Sequence, residues 1–193
     1  MKRSRRIIAN KGFYSDLSIH KGFTDEDQLL GGLRKLPYGR NANRGHFDLV
    51  LKEGQGTCSS KHALFSLIAI EQDWVDVKLV LCMYKMTEAN TPGIGRELEE
   101  SDLEYLPEAH CYLNISGNSI DVTSAESDLS RIQSDILEQR VISPNQVDKW
   151  KIDFHKNYIL NWKKEQGVAL NFEDIWHLRE ICIRNLKTSS FLS

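Results

Sequence analysis

Cys58, His110 and Asp121 are three residue types that together can attack a carbonyl group, and they stand in that order along the chain. A cysteine nucleophile needs a base to take its proton, most often histidine, and the histidine needs a carboxylate or amide to orient it. Cys58 follows Gly56-Thr57 and opens a run to Ile70 that is apolar around most of a helical circumference. A helix of that kind is normally buried. The first turn of such a helix favours a thiolate, through its unpaired N–H groups and the positive end of its dipole.

The other two members depend on a hairpin. Ala109–Ile115 and Ser119–Thr123 read as strands joined by Ser116-Gly117-Asn118. A two-residue Gly117-Asn118 turn would leave His110 and Asp121 four residues out of register, about 13 Å at ~3.3 Å per residue. A four-residue loop, Asn114 to Gly117, would set them opposite each other on one face. A working triad therefore requires the wider loop or a bulge.

The remaining elements must hold this set in place. Residues 12–22 show no firm periodicity and read as loop or a short edge segment. Thr24-Asp25-Glu26-Asp27 reads as a helix start, with Leu29, Leu30, Leu33 and Leu36 as the apolar face and Pro37 as the stop. Gly31-Gly32 inside that helix marks a close crossing or a kink. Tyr38 to Gly45 is a polar, positively charged loop able to present binding groups. Trp74 to Met86 alternates as a central strand. Residues 128–138 place Leu129, Ile132, Ile136 and Leu137 at helical spacing. Ser143-Pro144-Asn145-Gln146 fits a capping box. The helix it opens carries Val147, Trp150, Phe154, Tyr158 and Trp162 as a core stripe and stops at Gly167. A last helix spans about Phe172 to Leu186.

Composition sets the bounds. The chain has 193 residues, 40% hydrophobic and 27% charged, with a net charge of -2. That suits a soluble domain with a sizeable core and gives no electrostatic reason to invoke nucleic acid or an anionic membrane. The basic start, Met1 to Arg6, is followed by no long apolar run, so neither a signal peptide nor a membrane span is expected; it reads as a solvated terminus. The four cysteines, Cys58, Cys82, Cys111 and Cys182, contain no CxxC pair, which argues against a disulfide framework or structural zinc. The expectation is a reducing cytoplasm, with Cys82 and Cys182 as small core hydrophobes.

A Gly56-Thr57-Cys58 turn opening a buried helix, then a strand histidine, His110, then a strand aspartate, Asp121, resembles the transglutaminase-like superfamily of papain-type cysteine enzymes, as a bacterial-type member. The match covers residues 56–123, about a third of the chain. Ser59-Ser60-Lys61-His62 departs from the well-studied branches, as do the helices after Thr123. The resemblance implies that Cys58 attacks a carbonyl, His110 shuttles its proton and Asp121 orients His110. The Cys58 N–H would hold part of the oxyanion, with Gln55, Tyr38 or Asn43 as the second donor. His62, one turn beyond Cys58, could join as base, metal ligand or supporting hydrogen-bonder. No fourth ligand accompanies Cys58, His62 and His110, so no metal and no cofactor are expected. Lys61 could favour the thiolate or face solvent.

The expected architecture is α+β: a papain-like, transglutaminase-like core with an N-terminal helix over 1–124, in which a central buried helix lies against an antiparallel sheet. A helical C-terminal extension, 125–193, would pack on it in one structural domain. The expected activity is thiol-dependent acyl transfer from a small-molecule or peptide amide, or an ester, with hydrolysis favoured over transfer to an amine. The alternative is a catalytically inactive binding or scaffold protein. A third reading, a helical interaction module, would expose Trp150, Phe154 and Tyr158.

Overall fold

The computed structural model describes residues 5–189, with side chains through Leu186. Met1–Ser4 of the basic start lie outside the described residues. The fold is α+β, with six α-helices among the described residues and a four-stranded antiparallel sheet. The helices are α1 (Phe13–His20), α2 (Glu26–Lys35), α3 (Leu49–Glu53), α4 (Cys58–Glu71), α5 (Lys149–Gln166) and α6 (Phe172–Ser189). The strands are β1 (Val77–Met86), β2 (Leu106–Ile115), β3 (Asn118–Ile120) and β4 (Ile136–Ile142), in the order β3-β2-β1-β4. By contacts the chain forms two compact units: Met1–Val80, Cys111–Ser127 and Val141–Val147 in the first, and Leu81–His110, Asp128–Arg140 and Asp148–Ser193 in the second.

The first unit is organised around α4. Ala63, Leu64, Phe65 and Ile68 are fully buried, as are Leu29 and Leu33 of α2 and Val50 of α3. Burying a side chain such as Phe65 contributes up to about 3 kcal/mol. The helix is closed at its start by a capping box: Thr57 accepts from the Ser60 N–H, and the Ser60 hydroxyl accepts from the Thr57 N–H.

Residues 12–22, expected as loop or a short edge segment, contain α1. Gly12 precedes it without any side-chain cap. The carboxylate of Glu71, at the far end of α4, accepts from the N–H groups of Tyr14 and Ser15 at 3.0 and 2.6 Å. The cap is supplied from 57 and 56 residues away, so no local pattern announces it. At α2 the capping residue is Asp25, whose side chain accepts from the Gln28 N–H, while Thr24 bonds the Gln28 side chain. Gly32 is a close-approach site, since a Cβ there would collide with the Phe23 ring. Arg5 is exposed, as expected of a solvated start, and pairs with Asp25, whereas Arg6 is drawn in: it binds Glu26 and Asp76 while lying 4.8 Å from the Trp74 ring centre.

The hairpin turn is tighter than the triad geometry requires. Ile115 pairs with Asn118 and Leu113 with Ile120 around a two-residue Ser116-Gly117 turn. Both turn residues have positive φ, 52° and 85°, as a type I′ hairpin demands. Extending that register by one pair sets Tyr112, not His110, against Asp121. His110 lies two residues farther along β2, on the same strand face as Tyr112.

In the second unit the main core consists of Leu81, Cys82, Met83, Met86, Leu106, Ile159, Ile175 and Cys182. The stretch expected as a helix at 128–138 is instead two short 3-10 turns followed by β4. Its helical spacing is outweighed by the ladder that the edge of β1 offers to the β-branched Ile136, Val141 and Ile142. The capping box at Ser143 exists, with the Gln146 side chain accepting from the Ser143 N–H at 2.9 Å, but it opens a separate 3-10 turn, Pro144–Val147. On α5 the buried residues are His155, Ile159 and Trp162. Of the expected core stripe, Val147 and Trp162 are buried, while Trp150, Phe154 and Tyr158 are only half-buried. Gly167 stops the helix in the left-handed conformation, at φ 64°.

Beneath α6, Arg179 makes a two-pronged bond to the buried Glu108 carboxylate, at 2.8 and 2.6 Å. Burial pushes that carboxyl up, but the Arg179 charge, aided by its hydrogen bonds, outweighs it and leaves Glu108 at about 2. His155 Nε2 donates to the Pro107 carbonyl at 2.8 Å, and burial holds the imidazole neutral, with its pKa down to about 4.

Candidate active site

The chain approaches Cys58 through a narrow passage. Gly56 is buried and bridges the first loop, its N–H donating to the Pro37 carbonyl and its carbonyl accepting from the Gly39 N–H, both at 3.2 Å. A Cβ on Gly56 would press on Lys61 Cγ at 2.8 Å and Ser60 Oγ at 3.0 Å, so this approach requires glycine. The turn leads into the capping box, and Cys58 follows as the first residue of α4, 9% exposed. Its sulfur lies 3.9 Å from the Ser59 hydroxyl, which in turn lies 3.8 Å from Cys111 Sγ. The box engages the amides of Thr57 and Ser60 and leaves the Cys58 amide outside it.

Two residues farther along α4 decide the electrostatics. Lys61 is fully buried, and its ammonium donates to the carbonyls of Leu36 and Thr123 at 2.5 and 2.6 Å. Burial pulls its pKa from 10.5 down to about 8, against the opposing pull of Asp121 and Cys58. The sequence left Lys61 free to face water; a helix buried on all sides gives it no way out.

His62 is also fully buried. Its Nδ1 meets the Cys58 carbonyl at 2.6 Å and its Nε2 meets the Val122 N–H at 2.8 Å. A carbonyl can only accept and a backbone N–H can only donate, so Nδ1 carries the proton and Nε2 is the acceptor. The ring is therefore neutral. The 3.5 Å separation of its Nε2 from Asp121 Oδ1 is a contact rather than an ion pair. His62 ties the first turn of α4 to the segment after β3, with both nitrogens occupied by backbone.

Asp121 is buried beside it. Its carbonyl accepts from Arg34 Nε and Nη2 at 3.1 and 2.6 Å, and its Oδ1 accepts from the Thr123 N–H at 2.8 Å. Arg34 was not a sequence candidate, because its target lies 87 residues away. The Thr123 hydroxyl oxygen is buried without a hydrogen-bond partner among the described residues. The first unit thus gathers Cys58, Lys61, His62 and Asp121 around one end of α4.

No protein-family model, curated protein or solved structure matches the chain. The chemistry must therefore be argued from the residues themselves.

The other sequence candidates lie as follows. Tyr38 forms the parallel bridge with Gly56. The Gln55 side-chain amide donates to the Arg40 carbonyl at 3.0 Å, and its backbone carbonyl accepts from Asn41. Asn43 is exposed and its Oδ1 closes a turn onto the Gly45 N–H at 2.9 Å. His110 belongs to the second unit, half-buried and edge-on to Tyr84 at 6.3 Å between ring centres. Among the described residues no three His, Cys, Asp or Glu side chains converge as a metal site requires, and no helix is long and apolar enough to cross a membrane.

Proposed function

We propose that the chain is a thiol-dependent acyl-transfer enzyme of the papain-like, transglutaminase-like type, in which Cys58 attacks an amide or ester carbonyl. The observation that carries this reading is the placement of Cys58 as the first residue of a buried helix, within the field of the Lys61 ammonium. Attraction between that cation and a Cys58 thiolate favours the nucleophilic form, and the Cys58 N–H at the helix start offers a donor for the oxyanion. His62 has both nitrogens engaged by backbone, so the base in this reading is His110, without the orienting bond from Asp121 that a wider hairpin loop would have provided. The acyl group would pass from Cys58 to water in hydrolysis, with the leaving amine or alcohol taking the proton from the imidazolium.

The test is the pH dependence of iodoacetamide labelling at Cys58. Cys82, Cys111 and Cys182 are fully buried, and burial pushes the Cys182 thiol up to about 11, so labelling reports on Cys58. A rate plateau well below the ordinary thiol value of ~8.5, lost in His110→Ala, supports the Cys–His pair and justifies an amide-substrate screen. Labelling that titrates as an ordinary thiol in both proteins would leave Cys58 structural and overturn the reading.

A further inference from the structure

The half-buried aromatic stripe of α5 is not used by the thiol chemistry and faces a cavity of 460 Å³ within the second unit. That size falls in the range of small-molecule sites. Tyr105, Phe154, Tyr158 and Trp162 supply four rings to its wall. They are held by one another: the Trp162 indole donates to the Tyr105 hydroxyl at 2.9 Å, and the Phe154 and Tyr158 ring centres lie 6.3 Å apart. Glu138 and Glu165 add two carboxylates, and no lysine or arginine lines the cavity. The side chains of Asn157, Asn161 and Glu165 have no hydrogen-bond partner among the described residues, so their polar atoms remain available to a guest.

The wall already attracts positive charge. The Arg140 guanidinium lies 4.5 Å from the centre of the Phe154 ring and pairs with Glu138, and the Lys85 ammonium lies 5.1 Å from the centre of Tyr105. Aromatic faces attract cations through their quadrupole, most strongly where water is displaced. The Tyr158 hydroxyl reports the same field: burial raises its pKa, and Glu138, Tyr105 and Glu165 raise it further. Arg140 already compensates Glu138, so Glu165 is the lining carboxylate that a neutral ligand would leave without a counter-charge.

We propose that this cavity binds a small alkylated ammonium ion among the rings of Tyr105, Phe154 and Tyr158, its charge balanced by Glu165. Aromatic walls suit the alkyl groups, and the Glu165 carboxylate suits the charge. The site is independent of the proposed reaction at Cys58, and neither requires the other.

The full chain titrated with choline and followed by calorimetry should show saturable binding. Phe154→Leu should weaken it about tenfold and Glu165→Gln about fivefold. Both positions are half-buried or exposed, and an unchanged melting temperature will show that each variant folds. The neutral isostere 3,3-dimethylbutan-1-ol, of the same shape without the charge, should not bind. Absence of saturable choline binding would overturn the proposal, as would equal affinity for the neutral alcohol or unchanged affinity in Glu165→Gln.

Discussion

Lys61 and Arg179 each bring a positive charge out of water, one in each unit, and they differ in what receives it. Lys61 is met by two neutral carbonyls, with Asp121 acting only through space. Its pKa falls to about 8, so burial wins. Arg179 is met by the Glu108 carboxylate in a two-pronged bond, and it is the carboxyl that moves, down to about 2. A buried cation facing carbonyls remains costly to keep charged, whereas one facing a carboxylate makes a pair that neither partner can leave. The first arrangement suits a site where charge acts on a neighbouring thiol. The second suits a scaffold.

The largest effect should come from breaking the closed pair. Glu108→Ala removes the carboxylate that receives the Arg179 guanidinium and should cost about 3–5 kcal/mol in urea unfolding at neutral pH. The folded-state pKa of Glu108 is depressed, so its contribution is present above 4.5 and lost as pH falls toward 2. The wild-type advantage over Glu108→Ala should shrink across that window; a constant advantage would contradict the pairing.

Lys61 should behave oppositely in pH. Its folded pKa of about 8 lies below the unfolded 10.5, so the unfolded chain holds more protons between those values and stability rises with pH there. Wild type should gain up to about 3 kcal/mol relative to Lys61→Met between pH 8 and 10.5, read from unfolding midpoints. In Lys61→Met the plateau of Cys58 labelling should also move to higher pH; if it stays in place, the Lys61 charge does not act on the thiol.

Thr57→Ala should have the smallest effect, about 1 kcal/mol, because it removes one side of a capping box while the buried face of α4 remains. A larger loss in thermal unfolding would mean that the box also holds the Gly56 bridge in place.

The two units also differ in how far they could be read from the chain. The centre of the first was legible: the glycine turn and the all-round apolar run specify α4 from Cys58 onward. The burial of Lys61 was not, because a lysine in an apolar helix is normally expected to find the one exposed face, and α4 has none near its start. The α1 helix was invisible because its cap is Glu71. In the second unit, helical spacing at 128–138 was real but irrelevant once an open strand edge lay within reach. Of the aromatic stripe on α5 only Trp162 is buried, and His155 and Ile159 complete the buried face.

The sequence by itself determined what neighbours along the chain can enforce: the left-handed glycine stop at Gly167, the presence of the hairpin though not its exact turn, and the most apolar helix. Its periodicities also set which residue types were available for burial. Only the tertiary structure decided which face of each amphipathic element found cover, which carbonyls received Lys61, and that His62 would spend both nitrogens on backbone. Those outcomes depend on partners tens of residues away. A hydrogen bond between distant groups leaves no periodic trace, because its strength is set by distance in space and not by separation along the chain.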